Sequence, residues 1–98
     1  MDRRVRWTKP ALADLGEIAD YIARDSPHYA STFIIEIRRA ARSLRRFAFR
    51  SRAVPEVGRD DVRELLISNY RLIFQVTSDQ VKILAVIHGA RDLSERSE

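Results

Sequence analysis

Three side chains near the carboxyl end of the chain could hold an anion: Arg71, His88 and Arg91. A guanidinium pairs with a phosphate or carboxylate through parallel N–H donors, and an imidazole exchanges a proton near neutral pH. Arg71 and His88 fall at adjoining ends of two predicted strands and Arg91 follows directly, so we predict that the three converge on one anionic group of a target. Catalysis by His88 would need a nucleophile or carboxylate beside it, and the sequence offers only Asp92. We therefore predict target binding and no catalytic residue.

A second group of arginines forms a basic run along a predicted helix. Arg38, Arg42 and Arg45 share one face of that helix, because residues three and four apart are neighbours on a helix surface. The run could be a solvated helix face, a nucleic-acid contact or a docking site for acidic side chains of a protein partner. Stacking aromatic residues, which favour nucleic-acid binding, are absent from that face. We predict contacts with an acidic partner at these three arginines.

The composition describes one small basic domain. The 98 residues carry a net charge of +4, and sixteen of the eighteen basic residues are arginines. Arginine suits planar pairing with carboxylates or phosphates, although an arginine bias in the genome would give the same count. The chain has no cysteine, which excludes disulfides, thiolate metal sites and cysteine nucleophiles.

Metal sites, cofactors and membrane insertion are not predicted. His28 and His88 are too far apart in sequence to indicate a metal site. The first residues lack the apolar stretch of a signal peptide, and the longest apolar run, Ile83–Ile87, is too short to cross a membrane. We expect a cytoplasmic protein, since the absence of cysteine fits a reducing compartment.

Hydrophobic spacing predicts an α+β fold in a single domain over residues 1–98. Apolar and charged residues first alternate as in a strand and then recur at helical spacing in two segments. Thr8 and Ser26 are suited to cap the helices, and Pro10 and Pro27 fit their first turns. The predicted elements are a strand at Arg3–Thr8, an antiparallel helix hairpin from Thr8 to about Arg24 and from Ser26 to Phe47, a loop at Ser51–Asp61, and a three-stranded antiparallel meander of Val62–Ile67, Tyr70–Thr77 and Gln80–His88.

Two-residue turns at Ser68-Asn69 and Ser78-Asp79 give the meander a predicted register, in which cross-strand partners share a face. One face is then almost continuously apolar and is predicted to lie under the helices. The other face, which includes His88, mixes charged and aliphatic side chains and favours contact with a partner. The alternative is that the loop Ser51–Asp61 or the carboxyl-terminal tail covers it. The residues predicted to meet the partner there are Leu66, Arg71, Ile73, Leu84 and Val86.

The element order and several short stretches resemble the ParE/RelE toxin superfamily over essentially the whole chain. The matching stretches are Trp7-Thr8, Ala11, Asp14-Leu15, Tyr21-Ile22-Ala23, Val62-Arg63-Glu64-Leu65, Asn69-Tyr70-Arg71-Leu72-Ile73-Phe74 and Val86-Ile87-His88-Gly89-Ala90-Arg91-Asp92. RelE-like members of that superfamily cut messenger RNA in the ribosomal A site. ParE-like members poison DNA gyrase and are not known to need a catalytic residue. Both kinds are neutralised by an antitoxin whose carboxyl-terminal segment wraps the toxin.

The residues at matching positions are more similar to the ParE-like branch. Arg71 and Arg91 match the two arginines of RelE-like nucleases, but Val62 and Glu64 stand where those nucleases carry lysines, and no tyrosine follows Arg91. The resemblance implies a toxin that inhibits gyrase by binding, with a ParD-like antitoxin at the mixed sheet face and the arginine face of the second helix. DNA would be reached only through the antitoxin. The alternatives are a ribosome-dependent endonuclease and a toxin-like protein kept only for autoregulation.

Overall fold

The computed structural model describes residues 2–89, so the predicted target-binding residue Arg91 lies outside the described residues. The bounds of the elements are β1 Arg4–Trp7, α1 Lys9–Ala23, α2 Pro27–Phe47, β2 Arg52–Ala53, β3 Val62–Ile67, β4 Tyr70–Val76 and β5 Gln80–His88, with a 3₁₀ turn at Ala48–Arg50. No helix in this part of the chain is long and apolar enough to cross a membrane.

The strands form one mixed sheet in the order β1-β5-β4-β3-β2. Strands β3, β4 and β5 make the predicted antiparallel meander, and β1 joins its edge by pairing parallel to β5. The two helices are joined by only three residues, as in an antiparallel hairpin, and pack on one side of the sheet, which we call the helix face. These observations confirm the predicted α+β architecture.

Both helices begin where their capping residues predict. The Thr8 hydroxyl accepts a hydrogen bond from the Ala11 amide at 3.3 Å and donates one to the Ile83 carbonyl at 2.7 Å. The Ser26 hydroxyl accepts a hydrogen bond from the Tyr29 amide at 3.2 Å. Each cap satisfies an amide that has no partner within its helix. The second bond of Thr8 also fixes the start of α1 against β5.

The segment Ser51–Asp61, predicted to be an irregular loop, contains the short strand β2. This strand pairs antiparallel with β3, and Arg52 lies opposite Glu64. Val54, which follows β2, is fully buried on the sheet face opposite the helices, which we call the loop face. Burial of this aliphatic side chain holds the segment on the sheet, because apolar surface leaves water there. The alternative in which this segment covers part of the open face is therefore supported, and the prediction that the segment is a loop is wrong for β2.

The register between β4 and β5 follows the prediction only near their turn. Val76 pairs with Val81 and Phe74 pairs with Ile83, as the turn at Ser78-Asp79 predicts. A β-bulge between Ile73 and Phe74 then shifts the pairing by one residue, because β5 has one more residue than β4 at this point.

The bulge moves the end of β5 to the opposite faces from those predicted. Leu72 pairs with Val86 rather than with Ala85, and Tyr70 pairs with His88. Successive side chains of a strand point to opposite faces, so a shift of one residue exchanges the faces of all that follow. Val86 therefore joins the core under the helices and Ala85 joins the loop face. The predicted placement of Val86 and His88 on the open face is wrong.

Two apolar clusters pack against the two faces of the sheet. The larger one lies between the helices and the sheet and includes Ile37, Leu72, Phe74 and Ile83, all fully buried. The smaller cluster lies on the loop face, and its members are Val54, Val62, Ile73, Ala85 and Ile87, with Leu84 packed against them. Both faces are therefore covered in the middle of the sheet, which leaves binding surfaces to its edges and to the helices.

Candidate functional site

Arg71, the first predicted target-binding residue, is buried in an ion-pair cluster on the loop face. Its side chain is 6% exposed. Its two terminal nitrogens donate hydrogen bonds to the Glu56 carboxylate, each at 2.8 Å, and its Nε donates to Glu64 Oε1 at 2.6 Å. Two carboxylates of the same chain thus occupy the donors with which Arg71 was predicted to hold an anion.

Glu64 connects Arg71 to a second arginine. The Glu64 carboxylate is fully buried and also accepts a hydrogen bond from Nε of the largely exposed Arg52. The pKa of the Arg71 guanidinium is raised above its usual value, chiefly because it donates to Glu56, with a further contribution from Glu64 that burial opposes. The cluster of two cations and two anions is neutral as a whole, which allows it to lie against the sheet.

This cluster restricts the chemistry of the loop face. Cleavage of a phosphodiester is accelerated by a general acid, a general base and a cation that stabilises the negative charge developing on the phosphate oxygens. Arg71 is paired with carboxylates, and the buried Glu64 places a negative charge on the same face. The arrangement favours a structural role for Arg71.

His88 lies on the other side of the sheet from Arg71. The His88 ring contacts the Tyr70 ring edge-on with the centroids 5.6 Å apart, and its side chain is exposed. The structure therefore does not bring Arg71 and His88 together on one anion. The cause is the bulge, which turns the end of β5 by one residue. A target contact at His88 and Arg91 stays a prediction.

His88 borders a cleft of about 550 Å³ between α1 and the end of β5. The α1 wall contributes the carboxylates of Asp14 and Glu17 and the ring of Tyr21. Asp14 Oδ2 accepts a hydrogen bond from the Val86 amide at 3.0 Å, which fastens α1 to β5 just past the bulge. The lining of acidic and aromatic groups suits a cationic group of a partner. Within residues 2–89, no three His, Asp or Glu side chains are grouped so as to hold a metal ion.

The apolar residues predicted to meet a partner differ widely in exposure. Leu66 is 54% exposed, and Leu84 is half-buried against the loop-face cluster. Ile73 and Val86 are buried, because Ile73 packs with Val54 and the bulge turns Val86 under the helices. The prediction that Ile73 and Val86 lie on a partner surface of mixed charged and aliphatic side chains does not fit their burial, and of the four apolar residues Leu66 is the well-exposed one.

The predicted basic face of α2 is exposed and forms one wall of a groove. Arg38, Arg42 and Arg45 line this wall of a groove of about 680 Å³, which we call the arginine groove. The opposite wall is β1. The arginines of the β1 wall are Arg3, Arg4 and Arg6. Arg45 lies 3.6 Å from the carboxylate of Asp2 at one end of the groove.

Sequence reasoning missed Glu56 and the β1 wall of the arginine groove. Glu64 could have been found, because the predicted register already places it diagonally across from Arg71 on the same face. Glu56 lies in the segment predicted to be irregular, where no periodicity indicates which side chain reaches the sheet. The β1 wall depends on the parallel pairing of β1 with β5, which local spacing does not predict.

The amino-acid sequence is similar to one family of known proteins over most of its length. The family described as "ParE toxin of type II toxin-antitoxin system, parDE" matches residues 5–93. "Toxin RelE2" of Caulobacter vibrioides is 35% identical over 89 residues, which cover 90% of this chain and 97% of the relative. "Putative toxin Y4kP" of Sinorhizobium fredii is 34% identical over 93 residues, covering 89% of this chain and 88% of the relative.

A solved structure has the same fold. A chain from the structure titled "Chromosomal ParDE TA system from P. aeruginosa" superposes with a TM-score of 0.73 and 25% sequence identity. The superposition covers 88% of this chain and 95% of that chain. The likeness therefore extends over nearly all of both molecules.

Proposed function

Because the chain belongs to the ParE toxin family of type II toxin–antitoxin systems, we propose that it inhibits DNA gyrase by binding and catalyses no reaction of its own. We further propose that a ParD-like antitoxin neutralises it, which the likeness to a chromosomal ParDE system supports. The observation that carries the choice of mechanism is the ion-pair cluster, in which Glu56 and Glu64 occupy the guanidinium of Arg71.

The cluster supports binding over catalysis for a physical reason. Arg71 would have to break a bidentate pair and leave Glu64 buried beside one remaining cation before it could contact a phosphate. A buried charge that loses its partner is strongly destabilising. His88 cannot take over on that face, because it lies across the sheet. A toxin that acts by binding its target does not require Arg71 to leave its ion pairs with Glu56 and Glu64.

A ribosome-dependent mRNA endonuclease is the second candidate. The name of the Caulobacter relative, "Toxin RelE2", favours it. In this candidate the segment carrying Glu56 moves away on the ribosome and releases Arg71 for the scissile phosphate. We rank it second because the described residues hold Arg71 in place with three hydrogen bonds to carboxylates.

Two assays in parallel separate the candidates. We expect the purified protein to block supercoiling of a relaxed plasmid by gyrase and to leave mRNA intact on programmed ribosomes. Within the gyrase assay, His88→Ala and Arg91→Ala are expected to weaken inhibition at least about tenfold, a loss of about 1.4 kcal/mol of binding. Arg39→Ala, at an exposed position of α2 that does not line the cleft beside His88, is the control and should act like the wild type. Cleaved mRNA together with unaffected supercoiling would reverse the assignment.

We also propose that Leu66 anchors the antitoxin and that Arg38, Arg42 and Arg45 hold its acidic side chains. Leu66→Asp is expected to weaken the toxin–antitoxin complex at least about 30-fold, since buried interface anchors typically contribute about 2 kcal/mol or more. Leu12→Asp is a matched control, because Leu12 is 53% exposed and Leu66 is 54% exposed. Isothermal titration with the co-expressed antitoxin measures both, and equal affinities for the two variants would exclude Leu66 as an anchor.

A further inference from the structure

The arginines of the described chain divide into paired and unpaired groups. In the range 52–71, Arg52, Arg59, Arg63 and Arg71 each form an ion pair with a carboxylate. In the arginine groove, the side chains of Arg4, Arg6, Arg38 and Arg42 make no ion pair or hydrogen bond with another residue in the range 2–89. Cations that the fold leaves without carboxylates are available to an external anion.

The groove presents these cations from both of its walls. Arg38 and Arg42 are four residues apart on α2, which separates their positions by about 6 Å along the helix. Arg4 and Arg6 are two residues apart on β1, a separation of about 6.6 Å along the strand. Asp2 is the one carboxylate-bearing residue that lines the groove, and its oxygens already lie near Arg45 and Arg46. The groove is therefore lined by arginines of both α2 and β1.

The lining of the groove distinguishes between possible polyanions. Amphipathic peptides bind through a few buried apolar anchors, for which the partner needs exposed apolar surface. None of the large apolar side chains that the described chain exposes lines this groove, and its apolar members, Val5, Trp7 and Ala41, are half-buried or buried. A nucleic acid needs only cations along its backbone, and guanidinium matches phosphate geometry.

We propose that the arginine groove of the free toxin binds the phosphodiester backbone of nucleic acid, in the first place duplex DNA, through Arg4, Arg6, Arg38 and Arg42. The contact positions the toxin on DNA without reading bases, because phosphates carry no sequence information. It goes beyond both proposed activities, since it requires neither gyrase nor antitoxin. It also revises the sequence-based expectation that DNA is reached only through the antitoxin, whose acidic side chains would compete for the α2 wall.

The test is the salt dependence of DNA binding by the purified toxin alone. We expect a labelled 20-bp duplex of arbitrary sequence to bind with a slope of log K against log salt of about −3.6, because each of four phosphate contacts contributes about −0.9. Affinity should fall about 100-fold between 50 and 200 mM salt. Arg4→Ala, Arg6→Ala, Arg38→Ala and Arg42→Ala should each reduce the magnitude of the slope by about one contact. Arg59→Ala, which removes a paired arginine, is the matched control and should leave the slope unchanged.

Each other outcome also decides the proposal. A single-stranded RNA that binds with a slope of about −2.8 and the same variant pattern supports the same backbone chemistry. A slope that the four groove variants do not change, or that Arg59→Ala changes equally, overturns the assignment to the groove. Binding of poly-glutamate but not of DNA overturns it in favour of an acidic peptide. None of these results bears on the gyrase assay, which uses different variants.

Discussion

Arg71→Ala is expected to destabilise the fold by about 3–5 kcal/mol, because it removes one member of a buried ion-pair cluster and leaves the others uncompensated. Glu64 is fully buried and would keep only Arg52 as a charged partner. The carboxylate of Glu56 would lose both of its hydrogen bonds from Arg71. A loss of this size is a large part of the total stability of a small domain, which is about 5–15 kcal/mol. Urea unfolding of the two proteins measures the difference.

Arg59→Ala is the control for this measurement. Arg59 also pairs with a carboxylate, Asp61, but its side chain is 61% exposed, and exposed pairs contribute about 1 kcal/mol or less. The double variant Arg71→Met, Glu64→Gln is expected to be more stable than Arg71→Ala, because the buried carboxylate disappears with its partner. If the free energy of unfolding of Arg71→Ala instead lies within about 0.5 kcal/mol of the wild-type value, the cluster is solvated and Arg71 is available to a ligand.

Val86→Asp is expected to destabilise the domain by more than about 4 kcal/mol and to prevent folding at ordinary temperature. Val86 is 2% exposed in the core between helices and sheet, so an aspartate there would be a buried charge. The Asp14 carboxylate already accepts a hydrogen bond from the Val86 amide and would repel a second carboxylate at the same residue. Circular dichroism and thermal unfolding report the outcome.

Leu66→Asp provides the comparison, because the same change is made on the same sheet at an exposed position. Its unfolding temperature should be close to that of the wild type, since surface substitutions usually change the free energy of unfolding by no more than about 0.5 kcal/mol. The pair of variants tests the β-bulge directly. In the register predicted without a bulge, Val86 lies on the open face and both substitutions would be tolerated, so a stable Val86→Asp protein would restore that register.

The elements that local chemistry determines could be predicted from the sequence. Thr8 and Ser26 cap the helices where their side chains indicate, and the polar turn at Ser68-Asn69 gives the β3–β4 register without error. These features depend on contacts between residues that are close in sequence. The bulge could not be predicted, because β5 is apolar on both faces over Ile83–Ile87 and either register buries hydrophobic residues. The contacts made beyond the bulge come from elsewhere in the chain, from Asp14 on α1 and from Val54 after β2.

The candidate surfaces could be predicted only in part for the same reason. The exposure of Arg38, Arg42 and Arg45 follows from helical periodicity and was predicted correctly. The burial of Arg71 was not, because Glu56 reaches it from a segment with no periodic pattern. Long-range placement, not residue type, decides which arginines are paired.

The parallel pairing of β1 with β5 affects the order in which the parts of this protein can fold during its synthesis. The hydroxyl of Thr8 and the carbonyl of Ile83 that it contacts are 75 residues apart in sequence. A contact that closes so large a loop forms late and slows folding, since the entropy of the chain is lost before the contact forms. During translation, at about 5–20 residues per second, the first strand must wait several seconds for its neighbour to leave the ribosome. The helix hairpin can form in that interval, but the sheet edge and the groove beside it cannot. The sheet edge of the nascent chain is therefore incomplete until nearly all of the described residues have been synthesised.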